Sequence, residues 1–398
     1  KRGTYYTPFP VLGLTSNGHD MFLSCGGGGA TACKEVPNVV QAHRYDPKAR
    51  KMSEIASLDT GKSVAVGLSY AKKANLWLAS SGSGCKVLEL DEEKNTLKEI
   101  CQWQSEMTGK SPSQNLARCS ADGKLVATGG TDSVVRIYDA GTLRQEPKLK
   151  HTCEKHEEVL DIDFSQDGTM MASCDRTGSC RIWDTETGKE TACINYSFKG
   201  KALAMRAVRF MRIKKAGKLQ LVTVMSAPRG PACLAIYCCD GSLVSEVKVA
   251  NEPITCMEID PSLTQVCLNI VDGSKRTYSL LTMSCTKKSR VVHELPAPCA
   301  AWLMNNEIAI SGSGDRSINL LGNTAWYESV FCIVLLVVVA LAIQVGVMIL
   351  LYSAANSAKA DSNDQMADFM SSGKLENMDR ELVKKHALGV PSGMGGMR

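Results

Sequence analysis

The strongest constraint on the fold is a pattern that comes back along the chain. Residues 156–184 read HEEVLDIDFSQDGTMMASCDRTGSCRIWD. Leu160, Ile162 and Phe164 alternate with Asp161 and Asp163, Gln166-Asp167-Gly168 makes a turn, and 170–174 is a second apolar run. Residues 175–178 turn again before a third run at 180–183. Short strands of period two, each closed by a Gly or Asp turn, predict an antiparallel meander. Residues 125–139 repeat the strand, the Asp turn, the next strand and an aromatic-Asp ending, with Asp139 standing 45 positions before Asp184. Residues 308–320 repeat the middle once more, with Asp315 in the turn. One such sheet cannot bury both of its faces, so copies must flank it.

His156 followed by Trp183-Asp184 resembles the WD repeat, a unit of about 40–45 residues and four strands. The resemblance implies an all-β fold, a seven-bladed WD-repeat β-propeller. His156, Ser173 and Asp175 invite comparison with a catalytic triad, but no oxyanion or nucleophile-elbow motif accompanies them. In a WD blade these residues form a hydrogen-bonded chain with the closing Trp, satisfying polar groups that are otherwise buried unpaired. The blades are placed at 64–103, 116–149, 156–196, 204–249, 254–292 and 297–321, with another built on strands at 21–24 and 39–45. The segment 11–14 can supply a strand, and in closed propellers the first strand of the chain commonly completes the last blade. The fifth and sixth copies are divergent, which leaves six blades open; the resemblance favours seven.

Composition narrows the function. The net charge of +5 is too small for a nucleic-acid-binding domain, which shows a concentrated basic face. The densest basic cluster, 206–218, reads as a solvated hairpin rather than a phosphate-binding surface. Seventeen cysteines are scattered through the strands, without a C-x-x-C pair and odd in number. They read as small buried hydrophobes in a reducing compartment rather than as disulfides or zinc ligands. No acid pair, metal cluster or nucleophile motif points to an enzyme.

The most unusual stretch is 21–38, where Gly26, Gly27, Gly28 and Gly29 stand in a row and Val36-Pro37-Asn38 follows. Four glycines are entropically costly, so such a run persists where φ > 0 or close backbone approach is required; a slack hairpin loop is the plainer alternative. A phosphate cradle fails, because neither a G-K-[ST] ending nor a helix follows. Gly61-Lys62-Ser63 has that ending but Ala56 where the first glycine belongs, and it reads as a turn leading into a strand.

Pro8-Phe9-Pro10-Val11-Leu12, the glycine run and Val36-Pro37-Asn38, at the start of a WD propeller, are similar to the membrane-anchored guanine-nucleotide exchange factors of COPII coat assembly, the prolactin regulatory element-binding protein family. The resemblance implies that the loop projects from the first blade, is organised around a bound potassium ion, and contacts the secretion-associated Ras-related small GTPase. Mapped onto this chain, the loop is Gly26, Gly27, Gly28, Gly29, Thr31, Val36, Pro37 and Asn38, with the ion near the four glycines and Asn38. Glu35 stands where the family usually has Gly, and the variable segment is about one residue longer.

Residues 330–351 are 22 positions without a charge, with Gln344 the only strongly polar side chain. At 1.5 Å per residue they reach roughly 33 Å, enough for a hydrocarbon core of ~30 Å. Trp326, Tyr327 and Tyr352 stand at the ends as interfacial aromatics do. Together with the free-thiol reading, the resemblance implies a cytosolic propeller at 1–325, a transmembrane helix at 326–352, and a short, irregular lumenal tail at 353–398, in the endoplasmic reticulum membrane. The flanking charges give almost no orientation bias, and Asn195-Tyr196-Ser197 offers a glycosylation test of topology. Two functions follow: an exchange factor without covalent chemistry, or a membrane-anchored scaffold whose propeller binds an adaptor or peptide.

Overall fold

The computed structural model describes residues 3–29, 36–109, 111–198, 200–215, 218–260, 262–289, 292–304, 308–320 and 326–372. The chain divides into two units, Lys1–Asn323 and Thr324–Arg398.

Among the described residues the first unit holds seven four-stranded antiparallel sheets, each a meander in chain order except the last, and a two-stranded sheet of Ser197–Phe198 and Lys201–Ala202. The first blade is Val11–Ser16, Met21–Gly26, Val39–Asp46 and Lys51–Asp59. The seventh joins Cys299–Leu303, Ile308–Gly312 and Ser317–Leu320 to Thr4–Tyr6 from the other end of the chain. The strand that closes the ring is therefore Thr4–Tyr6, paired Thr4↔Asn319 and Tyr6↔Ser317, while Val11–Ser16 is the first strand of its own blade. Thr4 Oγ donates to Asn319 Oδ1 at 2.6 Å, and Leu320 N–H donates to the Gly3 carbonyl at 2.8 Å. The residues Thr4-Tyr5-Tyr6 escaped attention because three positions carry no visible alternation.

Burial explains the sequence texture of the blades. Met21–Gly26 is buried at every position and Leu125–Gly130 at all but the first, because a blade's second strand is covered on both faces by its neighbours. Lys51–Asp59, an outer strand, alternates and leaves Lys51, Ser53 and Glu54 in water. The cores lie between blades. Leu23, Val40, Trp77 and Leu88 join the first to the second, and Phe9, Val11, Phe22, Leu303 and Ile318 join the seventh to the first.

The His-Ser-Asp-Trp chain of the fourth blade is complete and structural. His156 bridges Asp175 Oδ2 at 2.8 Å and Ser173 Oγ at 2.7 Å, and Trp183 Nε1 donates to Ser173 Oγ at 2.8 Å. Burial alone would raise the Asp175 carboxyl, but hydrogen bonds from His156, Thr177 and Ser179 outweigh it and hold it at about 2. The seventh blade repeats the device, with His293 on Ser311 at 2.7 Å and on Asp315 at 3.3 Å.

The basic cluster at 206–218 lies in a hairpin, as expected, Ala204–Lys215 pairing with Lys218–Ser226, but one of its cations does not face solvent. Arg209 turns into the central channel, a cavity of about 660 Å³ lined by the first strands of the blades. There it contacts Asp161 and reaches Glu258 at 3.5 Å, while Arg118 takes the other Asp161 oxygen at 3.5 Å. Burial pushes the Asp163 carboxyl up to about 6, against the opposing Arg209 charge. The alternation of Arg206, Val208 and Phe210 with their neighbours conceals that alternate residues of a first strand face the channel, where cations meet carboxylates. The described cysteines are free thiols, most of them buried.

Among the described residues the second unit is a helix, Trp326–Ser371, of 46 residues. Its segment Val337–Asp368 is long and apolar enough to cross a membrane. The helix does not stop at Tyr352 as expected but runs on through Ser371. Residues 353–371 carry no Pro or Gly, and Ala, Lys, Gln and Met extend a helix already nucleated.

Candidate functional site in the first blade

The glycine run begins as the end of a strand. Gly26 is held between two neighbours, paired with Val11 on one side and Val39 on the other. A Cβ at Gly26 would lie 1.9 Å from the Pro10 carbonyl oxygen, so no side chain fits. A Cβ at Gly27 would fall 2.1 Å from Asn38 Oδ1. Gly29 has φ +89°, a region that suits glycine, with open space beyond it. Two of the four glycines thus answer to crowding and one to backbone conformation, while Gly28 is exposed.

Asn38 closes the base. Its carboxamide pairs with the Gly29 peptide in both directions, Oδ1 accepting the Gly29 N–H at 3.1 Å and Nδ2 reaching the Gly29 carbonyl at 3.4 Å. Nδ2 also donates to the Gly61 carbonyl at 2.8 Å. Gly61 belongs to the turn between the first and second blades, where Asp59 Oδ1 accepts its N–H at 2.7 Å and Thr60 N–H reaches the Asn38 carbonyl at 2.9 Å. One buried side chain therefore ties the loop to two blades at once. Gly61-Lys62-Ser63 is a turn, as its missing first glycine predicts, and its part at the site is to receive Asn38.

Beneath the loop, Ser24 and His43 meet at 2.7 Å, and the imidazole stacks on Phe22 at 4.7 Å between ring centroids. Burial pushes His43 down to about 3, so it stays neutral. Val36 packs onto the core between the seventh and first blades, and Pro37 is exposed. Of the residues singled out in the sequence, Gly26, Gly27, Gly29, Val36, Pro37 and Asn38 come together at the base. Thr31 and Glu35 lie outside the described residues. Sequence inspection missed His43 and Gly61 as parts of the site; neither bears a motif, and only pairing across strands and blades brings them here.

The oxygens on offer are neutral. The Gly27 and Gly28 carbonyls make no hydrogen bond among the described residues, and Asn38 Oδ1 keeps a lone pair beyond the one used by Gly29. Uncharged carbonyl oxygens suit a weakly hydrated monovalent cation, whereas a divalent ion favours carboxylates. No cluster of His, Cys, Asp or Glu suited to a metal occurs among the described residues.

The WD domain, G-beta repeat family matches residues 107–139 and 147–184, the third and fourth blades. SEC12-like protein 1 of Arabidopsis thaliana is 32% identical over 118 residues, covering 28% of this chain and 27% of that protein. The probable cytosolic iron-sulfur protein assembly protein 1 of Candida glabrata is 34% identical over 120 residues, 28% of this chain and 34% of that one. WD repeat-containing protein 1 of Mus musculus is 33% identical over 85 residues, 21% and 14% of the two chains. The chain spans about a third or less of the length of these relatives. The seven-bladed ring, its two matched repeats, the similarity to a SEC12-like protein and one apolar helix able to span a membrane together fit a WD-repeat protein of the SEC12 type.

Proposed function

We propose that this protein is a guanine-nucleotide exchange factor at the endoplasmic reticulum membrane, acting on the secretion-associated Ras-related small GTPase that initiates COPII vesicle formation. The observation that carries the proposal is the clamp at Asn38. It fixes the base of the glycine loop to two blades while Gly28 and Pro37 stay exposed.

Exchange needs no covalent step. A factor that binds the nucleotide-free GTPase better than the loaded one accelerates GDP loss by that difference, tenfold for every ~1.4 kcal/mol. A loop fixed at its base spends less of its binding energy on ordering than a slack one, leaving more for displacing the nucleotide. The Gly27 and Gly28 carbonyls with Asn38 Oδ1 would hold a potassium ion, which when bound supplies a positive centre that sets the direction of those oxygens. The apolar helix keeps factor and GTPase on one surface, with the propeller on the cytosolic side, and so raises their effective concentration.

The test is release of a fluorescent GDP from the GTPase by the full chain in liposomes. The wild type accelerates release, and Asn38→Ala, which leaves the Gly29 peptide and the Gly61 carbonyl without their partner, slows it about tenfold or more. No acceleration by the wild type leaves the membrane-anchored scaffold as the function.

A further inference from the structure

The uncharged run at 330–351 carries one strongly polar side chain. Gln344 lies in the middle of the uncharged run at 330–351, is exposed on the helix surface, and has no hydrogen-bond partner among the described residues. A carboxamide in hydrocarbon has two donors and an acceptor with no water to meet them, which is costly.

The positions around it form a pattern. Val337, Gln344 and Leu351 recur at intervals of seven, and Ala340 and Val347 fall between them, so a single seam contains all five. Every one of the five is exposed, with Val337 at 52% and Leu351 at 64%. These are the first and fourth places of a heptad, with a polar amide at a first place, the arrangement that fixes register in parallel two-stranded coils.

We propose that the span associates with a second copy of itself along this seam, Gln344 against Gln344. Copies inserted by the same route lie parallel in the membrane, and a two-fold axis along the seam sets identical residues face to face. A carboxamide is self-complementary, since each can donate to the other's oxygen, and the other seam residues offer no competing polar group. Ala340, one turn before Gln344, keeps the two backbones close enough for the amides to meet. The inference stands on the helix alone and does not rest on exchange activity.

The experiment uses full chains labelled with donor or acceptor fluorophores and reconstituted in phosphatidylcholine vesicles over a range of protein-to-lipid ratios. The wild type shows energy transfer that dilutes away as lipid is added. Gln344→Leu shifts that dilution curve roughly tenfold toward monomer, the effect expected of an interhelical amide bond. Gln344→Asn retains most of the transfer, and Val345→Leu, one residue off the seam, leaves it unchanged. A wild type that is monomeric at every ratio overturns the proposal and points to a different membrane protein as the partner of Gln344. Transfer that persists undiminished in Gln344→Leu also overturns it, because association then lies elsewhere in the chain.

Discussion

Glu106 is a buried acid with one carboxyl oxygen unpartnered, and replacing it with Gln should change how stability depends on pH. In the third blade Thr128, Gly130 and Tyr138 take the places that Ser173, Asp175 and Trp183 hold in the fourth. A Cβ at Gly130 would come within 2.8 Å of the Glu106 carboxyl, so that carboxyl fills the space left by the missing aspartate. Its Oε2 accepts the Asp132 N–H at 3.1 Å and its Oε1 has no partner, while Asp132 faces Arg136 at 2.8 Å. Burial pushes the Glu106 carboxyl up to about 8, with Asp132 adding to the rise and Arg136 opposing it. An acid whose folded value exceeds its unfolded value of 4.5 stays protonated in the fold while the unfolded chain ionises. The fold therefore loses stability as pH climbs from about 4.5 to about 8, by ~1.36 kcal/mol per unit and roughly 3–5 kcal/mol in all. Glu106→Gln keeps a neutral donor and removes the ionisation. Urea unfolding of the full chain in detergent, followed by Trp fluorescence at pH 5 and pH 8, should show the wild type losing stability relative to the variant as pH rises, because groups common to both, such as His43 and Asp163, cancel in the difference. A difference between the two proteins that does not change with pH would refute the buried neutral acid.

His156→Ala leaves Asp175 and Ser173 buried without their bridge and should cost about 2–3 kcal/mol in the same unfolding assay, with His156→Gln less damaging. Arg209→Met strands Asp161 and Glu258 in the channel and should cost roughly 3–5 kcal/mol, and a smaller loss at pH 4 than at pH 7 would identify uncompensated carboxylates as the cause. Gly26→Ala forces a methyl against the Pro10 carbonyl, so it should lower the unfolding midpoint more than Gly29→Ala, which meets open space. Asn195 is exposed, within the sequence for N-glycosylation; in cells it should stay unmodified, and a mobility shift on endoglycosidase treatment would reverse the proposed cytosolic placement of the propeller.

The ring was legible wherever a blade's own residues carry both strand alternation and turn chemistry. Residues 156–184 contain every member of their polar chain, so their sheet and its internal bonds follow from one segment. The fifth and sixth blades lack the Trp-Asp ending, yet they fold alike because Val222, Leu234, Leu268 and Ile270 supply the same covered second and third strands. What could not be read are contacts between distant segments. Thr4–Tyr6 gains a partner only when the chain's far end arrives, Arg209 meets Asp161 and Glu258 only inside a closed ring, and Glu106 reaches the space of the aspartate missing at Gly130 only in the folded blade. The helix was underestimated for a different reason: charges at Lys359 and Asp361 end the part that suits lipid, but they do not end the helix.

The same distinction bears on the loop. A run of four glycines, taken by itself, says only that side chains are absent, and slack and crowding predict the same letters. The neighbours decide between them: the Pro10 carbonyl and the Asn38 carboxamide occupy the places where side chains on Gly26 and Gly27 would go. Lost backbone freedom is then offset at the base by strand pairing to Val11 and Val39 and by an amide bonded to two blades, rather than left to a partner to supply on binding. If that is why the glycines are there, lengthening the run by one residue should harm exchange more than replacing exposed Gly28 with Ala, because an insertion shifts Gly29 away from Asn38. Equal tolerance of both changes in the GDP-release assay would mean that the loop acts as a spacer and that its clamped base has no part in exchange.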